Sequence, residues 1–328
     1  MVGKRGPILI TCQNPDCAYF LIEEGKNITK NGHNPAGNQQ YFCHHCRRYF
    51  IETKNTPLYH SRLPRSEVLL IAKHSMEKTS IRGVSRVLNH HRDTISKYYH
   101  LIGKHAEILN DHYINGISPG DCEFDEIWSF IHKKNKNLLP HDPSEYGDFW
   151  TYTGFKRESG LMISFSSGKR VEETCEIMLN SFFERMELPL PDNKISIYTD
   201  GNYQYSSIIP DLYCESCIEY GQVIKLKEQN RLISVIRAKI FGNPKIKSIS
   251  TSVVEGYNNK IRQRLSRFTR KTASFSKSVF GYETSLNIFQ FVHNFIDLKY
   301  DHQTPAMLES ITEHRWNWYE FLSHHIQL

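Results

Sequence analysis

The sequence predicts an α+β multidomain protein: a cysteine-built ribbon, a short run of helices, and then a larger mixed α/β domain. Three observations carry this. Four cysteines stand as two close pairs, apolar residues recur with helical period after Pro64, and from Asp121 the period becomes that of strands. With 328 residues, 39% hydrophobic and 23% charged, the chain can build a core and lacks the bias of disordered or fibrous sequences. No uncharged run approaches the roughly 18 residues that cross a bilayer. The segment from Met1 to Thr11 carries Lys4 and Arg5 but only a Pro-Ile-Leu-Ile stub behind them, so secretion is not expected. A cytoplasmic protein with no membrane partner is.

Zinc accounts for the first element. Cys12 and Cys17 are separated by Gln-Asn-Pro-Asp and Cys43 and Cys46 by His-His, with a polar loop from Gly25 to Gln40 between the pairs. Two such knuckles aim four thiolates at one point, the arrangement of a structural zinc ribbon, and zinc substitutes for the core that so polar a segment cannot build. A variant replaces one cysteine with His33, His44 or His45. Cys214 and Cys217 have the inner spacing of a knuckle but no partner pair, and are expected as buried thiols on a loop.

The helices follow. Val68, Leu69, Ile71, Ala72 and Met76 mark one face, and Ile81, Val84, Val87 and Leu88 mark a second helix opened by Thr79/Ser80. Asn89-His90-His91 makes a turn, and Ile95, Tyr98, Leu101 and Ile102 stripe a third helix whose other side offers Arg92, Thr94, Ser96 and Lys97. This is the plan of a helix-turn-helix that reads double-stranded DNA. Charge agrees. Residues 1–110 hold 16 Lys/Arg against 8 Asp/Glu and residues 225–271 hold 13 against 2, whereas residues 111–224 hold 9 against 19. Two basic blocks flanking an acidic one suit a polyanion gripped at two places, with carboxylates reserved for another task.

In the acidic block, Cys122–Ile131, Phe149–Phe155 and Leu161–Ser166 read as strands, Val171–Met186 as a helix, and Lys194–Thr199 as a fourth strand ending at Asp200. This is the element order of a ribonuclease-H-like α/β domain. Asp125 and Asp200 sit among apolar strand residues, where a carboxylate is costly unless paired or holding a metal. On adjacent parallel strands they would need a divalent cation, magnesium or manganese, to offset their repulsion. Glu123 and Glu126 are rivals for the first position, but a one-residue step turns Glu126 to the opposite face. The second basic block has two acids, Glu228 and Glu255. Glu255 is the better third ligand, on a helix expected over Ser252 to Arg270 that also carries Asn258 and presents Arg262, Arg264, Arg267, Arg270 and Lys271 to phosphates.

Three stretches then resemble a known family. They are Asn31-Gly32 through Cys46-Arg47-Arg48, Phe124-Asp125-Glu126-Ile127-Trp128-Ser129, and Arg264-Leu265 through Phe275-Ser276-Lys277-Ser278. They are similar to the transposase of the insertion-sequence-1 family, across about residues 10–295. The resemblance implies a zinc-ribbon and helix-turn-helix half before a ribonuclease-H-like catalytic half, with Asp125, Asp200 and Glu255 as the Asp-Asp-Glu metal site and Asn258 as an auxiliary. The expected divisions are 1–60, 61–112, 113–300 and a helical tail, 301–328. The insert Asn135–Asp148, the tail Gln303–Leu328 with Trp316 and Trp318, and the Cys214/Cys217 pair depart from the family pattern.

The expected protein is a metal-dependent DNA transposase acting on terminal inverted repeats, as a homodimer or higher assembly. Phe280 to Tyr300 is apolar enough for an interface or a core. Rival readings are a tyrosine recombinase and a zinc-dependent regulator with an inert second half.

Overall fold

The computed structural model describes residues 10–20, 22, 26–35, 37–212, 214–229, 231–299 and 302–325. Residues 1–9, Gly25, Tyr300 and Leu328, which enter the expectations above, lie outside the described residues. The chain divides into two units, Met1–Leu69 with Tyr319–Leu328, and Leu70–Trp318.

The smaller unit is built on an antiparallel sheet, β1 (Ile28–His33), β2 (Gln39–Cys43) and β3 (Tyr49–Ile51), in that order. Tyr41 and Phe50 pair across β2 and β3 and stack at 5.7 Å, while Phe20 and Ile28 pack against the cysteines. Helix α1 (Arg65–Ser75) starts in this unit. Its Arg65 guanidinium ion-pairs with Glu52 and donates to the Tyr319 hydroxyl at 3.0 Å. The end of the tail thus belongs with the ribbon and not to a separate domain.

The larger unit opens with α2 (Ile81–Leu88) and α3 (Arg92–Tyr113). Ser80 caps α2 by accepting from the Gly83 N–H at 3.0 Å, and Asn89 ends it in the left-handed conformation, φ 54°. The two helices and the turn expected here are present, but they do not stand apart from the larger unit. Helix α3 continues to Tyr113, and its second half is buried against a later helix of the same unit.

The sheet of this unit consists of β4 (Asp121–Ile131), β5 (Gly147–Lys156), β6 (Met162–Gly168), β7 (Ile195–Asp200), β8 (Ile218–Glu228) and β9 (Arg231–Phe241), in the order β6-β5-β4-β7-β8-β9. β4 runs parallel to β7, and β7 parallel to β8; the remaining neighbours are antiparallel. Helix α4 (Glu172–Glu184) lies between β6 and β7 in the chain, and α5 (Tyr203–Leu212) between β7 and β8. Gly154 lets α4 approach, because a Cβ there would come within 2.8 Å of Phe182 and 3.1 Å of Phe124. Between β4 and β5, the insert is clasped by Asn135 and Asp148, each accepting from the other's N–H, and by Lys133 on Asp142 at 2.7 Å.

The strands of the acidic block and α4 lie within a few residues of their expected bounds. The hairpin β8–β9 runs from the end of the acidic block into the stretch from Lys225 onward that charge alone marked as basic. The helix expected over Ser252–Arg270 stops early: α6 is Ser252–Arg264, followed by a 3-10 turn at Ser266–Phe268. Helix α7 (Val279–Phe291) then packs on α3 and runs into a π-helical turn, Val292–Ile296. Gly103 of α3 meets Thr284 of α7 so closely that a Cβ would lie 2.4 Å from the threonine methyl. Phe280 is exposed, but Phe289, Phe291 and Phe295 are buried, so this apolar stretch is mostly core. The tail adds α8 (Pro305–Leu308), Glu309 paired with Lys156 at 2.8 Å, and Trp316 against Phe291 and Phe295. Helix α9 (Trp318–Ser323) ends the described elements.

Candidate active site and metal centres

The pairing of β4 with β7 builds the acidic site. Phe124 stands opposite Thr199, so the next residues along these parallel strands, Asp125 and Asp200, come side by side where β7 ends. Carboxylate oxygens of Asp125, Glu126 and Asp200 all lie within 4.8 Å of one another. Burial, then the charges of Glu126 and Asp200, pushes Asp125 up to about 7. Burial, then Asp200, pushes Glu126 up to about 7 as well. Three hard oxygen donors this close, two of them crowded into binding protons more tightly, fit a divalent cation of the magnesium or manganese kind.

Neighbouring side chains fix these acids. Asn258 of α6 donates to Asp125 Oδ2 at 2.8 Å and accepts from Thr153 at 3.3 Å. Asp200 Oδ1 accepts from the Asn202 N–H at 3.0 Å, an Asx turn just after β7. Asn202 Nδ2 in turn donates to Glu126 at 3.1 Å, and Arg170 ion-pairs with the same carboxylate.

One expectation is corrected here, that for Glu126, and Glu255 is engaged elsewhere in this structure. Glu126 is not turned away from the aspartates; its long side chain is drawn over Asp200 by Arg170 and Asn202. Glu255 is in the first turn of α6, one turn before Asn258, but stands outside the carboxylate group: its oxygen accepts from Lys225 Nζ at 2.5 Å and Thr251 Oγ1 at 2.9 Å. Glu123 has another task. Fully buried and paired with Arg157 at 2.8 Å, it accepts from the N–H groups of Val253 and Val254 and caps α6. Glu228, the other acid of the basic block, is at the exposed end of β8.

The cysteine centre is as spaced. Sulfurs of Cys12, Cys17, Cys43 and Cys46 lie within 4.8 Å of one another, with Cys12 to Cys46 at 3.6 Å and Cys17 to Cys43 at 3.9 Å. Tetrahedral zinc with bonds of about 2.3 Å separates its sulfurs by about 3.8 Å, so the set fits that ion. His45 lies beside the group, its Nδ1 3.4 Å from Cys17, and His44 turns to Thr29 at 3.1 Å; neither is a member of it. Burial pushes the Cys12 thiol up. Burial also raises Cys43, but the backbone at Cys46 and His45, the Cys12 thiol and the Asn27 amide outweigh it and bring this thiol down to about 6.

The basic residues divide. Arg92 and Lys97 of α3 are exposed, Arg92 beside Asp93 at 2.9 Å, and Thr94 is half-buried. Arg270 and Lys271 are exposed as expected. Arg262, Arg264 and Arg267 are not free for phosphate. Arg262 donates to the Phe268 carbonyl at 2.7 Å, Arg264 to the Met76 carbonyl at 2.6 Å, and Arg267 lies over the Tyr99 ring and donates to Ser276 at 3.2 Å. They bind the end of α6 to its surroundings: Arg262 satisfies a carbonyl of the turn that follows the helix, and Arg264 one just past the end of α1. A cleft of about 630 Å³ separates the start of α2 and α3 from residues 265–285; Arg82, Arg86, Arg92, Arg267 and Lys277 line it. Arg82 and Arg86 are exposed one turn apart, which helical spacing could have shown, and Lys225 could have been suspected from its place opposite an acidic helix start.

No family model matches the chain. Among curated proteins, the insertion element iso-IS1n protein InsB of Shigella dysenteriae is 25% identical over 174 residues, covering 53% of this chain and 96% of the relative. The resemblance to the insertion-sequence-1 family is therefore found by comparison as well as by motif. Among solved structures, the piggyBac transposase synaptic complex with hairpin DNA is 10% identical, covering 79% of this chain and 70% of that one, with a TM-score of 0.39. The Mos1 strand transfer complex is 10% identical, covering 71% and 78%, with a TM-score of 0.22. Likeness at such scores is slight. No helix among the described residues is long and apolar enough to cross a membrane.

Proposed function

We propose that this chain, similar to an insertion-sequence-1 protein, is a metal-dependent DNA transposase that binds the terminal inverted repeats of its element and performs strand cleavage and strand transfer. The observation that carries this reading is the meeting of Asp125 and Asp200 on adjoining parallel strands, with a third carboxylate beside them. The strand order, with its antiparallel half and its parallel half, supports a ribonuclease-H-like core.

Asp125 and Asp200 would hold the catalytic cation, with Glu255 completing the set once it leaves Lys225. Magnesium or manganese bound there supplies positive charge against the attacking and leaving oxygens of an in-line phosphoryl transfer. The chain's own residues do the positioning. Asn258 orients Asp125, Asn202 orients Asp200, and Arg170 offsets the charge of Glu126. Zinc on Cys12, Cys17, Cys43 and Cys46 would shape the ribbon. The ribbon and the start of α3 would read double-stranded DNA, with Arg92, Thr94 and Lys97 near bases or phosphates and Arg270 and Lys271 on the backbone. Joining two element ends calls for a homodimer or a larger assembly.

The ion pair of Glu255 with Lys225 favours a second reading, a zinc-dependent DNA-binding regulator whose acidic site is incomplete. Cleavage of terminal-repeat duplexes separates the two. The proposal expects magnesium-dependent cleavage by the wild type, lost in Asp200→Ala while binding persists; equal cleavage by both proteins overturns the site.

A further inference from the structure

Cys214 and Cys217 have no part in either centre described above. Contrary to the sequence expectation they are not buried: Cys214 is exposed and Cys217 half-exposed, on the loop between α5 and β8. Their sulfurs are 3.3 Å apart. Backbone hydrogen bonds tie residues 214–218. The Cys217 and Ile218 N–H groups donate to the Cys214 carbonyl at 3.0 and 3.3 Å, and the Cys217 carbonyl accepts from Ile195 at the head of β7 at 3.1 Å.

The local geometry repeats that of the ribbon. At Cys43 the N–H four residues on, that of Arg47, donates to the first cysteine's carbonyl at 2.8 Å, and at Cys214 that of Ile218 does the same at 3.3 Å. The Ser216 hydroxyl, 2.9 Å from the Cys214 sulfur, and then the Cys217 thiol lower the proton affinity of Cys214, which favours a thiolate. Such a loop is half of a tetrahedral thiolate site. Among the described residues, no other cysteine, histidine or carboxylate joins the pair in a cluster of three or more. Zinc requires four ligands, and a two-fold axis through the loop supplies two more of the same kind.

We propose that Cys214 and Cys217 of two copies of this chain together hold one zinc ion in a four-thiolate site. Binding releases the thiol protons and involves no change of oxidation state. The site lies where β7 and β8 begin, whereas Asp200 is where β7 ends, so a copy docked here leaves the acidic cluster open.

Zinc content and dimer dissociation of the full chain, purified under reducing conditions, test this. The wild type should carry about three zinc ions per two chains, two in the ribbons and one shared. Cys214→Ser/Cys217→Ser should carry about two, with unchanged circular dichroism and a dimer dissociation constant raised at least about tenfold. Two ions per two wild-type chains, four, a Cys214–Cys217 disulfide in the purified protein, or dimer dissociation unaltered by the substitutions would each overturn the shared site. The outcome is independent of DNA cleavage.

Discussion

Asp125 and Glu126 bear the cost of being crowded, and that cost has a sign. Both have folded pKa values of about 7, well above those of free carboxylates. Between the unfolded and folded values the native state binds more protons, so the stability they contribute is complete at low pH and is lost as pH rises through 7. In chelator, the melting temperature of the larger unit should fall between pH 5 and 8. Asp125→Asn should flatten that fall, and magnesium should raise melting more at pH 8 than at pH 5. A flat chelated profile in the wild type would count against the cluster. The rivals for third ligand can be ranked the same way: Glu255→Gln should reduce cleavage by about a hundredfold or more and Glu126→Gln by less than about tenfold. The reverse order would make Glu126 the ligand. The sequence could show that Asp125 and Asp200 were costly where they stood, since apolar strand residues surround both. It could not place Glu126, because a period of two assigns a backbone face and not the reach of a long side chain toward Arg170.

At the scale of elements, the crossing of α3 and α7 rests on Gly103, where a Cβ would collide with Thr284. Gly103→Val should destabilise the larger unit by about 1–3 kcal/mol, read as a lower denaturant midpoint; an unchanged midpoint would show that the helices can separate freely. Arg82 and Arg86, both lining the cleft, make no ion pair with any described residue. Replacing both with Gln should weaken duplex binding and reduce its slope against log salt by about two, if each arginine neutralises one phosphate. The helix-turn-helix was legible because its cap, turn and stripe are local. The hairpin β8–β9 was not. From Lys225 to Arg237 every described residue is exposed, so no single face alternates with a buried one and the pattern reduces to scattered charge. Arg264 misled for a related reason, as a basic residue near a helix end can serve solvent, phosphate or an orphaned carbonyl, and only the turn that follows decides which.

For the whole molecule, the division into two units predicts two responses to metal removal. A strong zinc chelator should release the ribbon to proteolysis around residues 12–46, while the protease resistance of residues 70–318 persists. Loss of protection in both regions together would mean that the ribbon supports the entire fold. The unit boundaries themselves were not readable from composition. The helices expected as a free DNA-reading domain are part of the larger body, because half of α3 is apolar toward α7, and the tail that looked like an appendage supplies Glu309 and Trp316 to that body's interior.

That long third helix has a consequence for where a strand would be cut. Its 22 residues span about 33 Å, nearly one turn of duplex, with Arg92 at one extreme and the seam with α7 toward the other. Under the function proposed above, a rod of constant length held by that seam acts as a ruler, so the offset from recognised bases to scissile phosphate would be set by protein geometry and not by the flexibility of a tether.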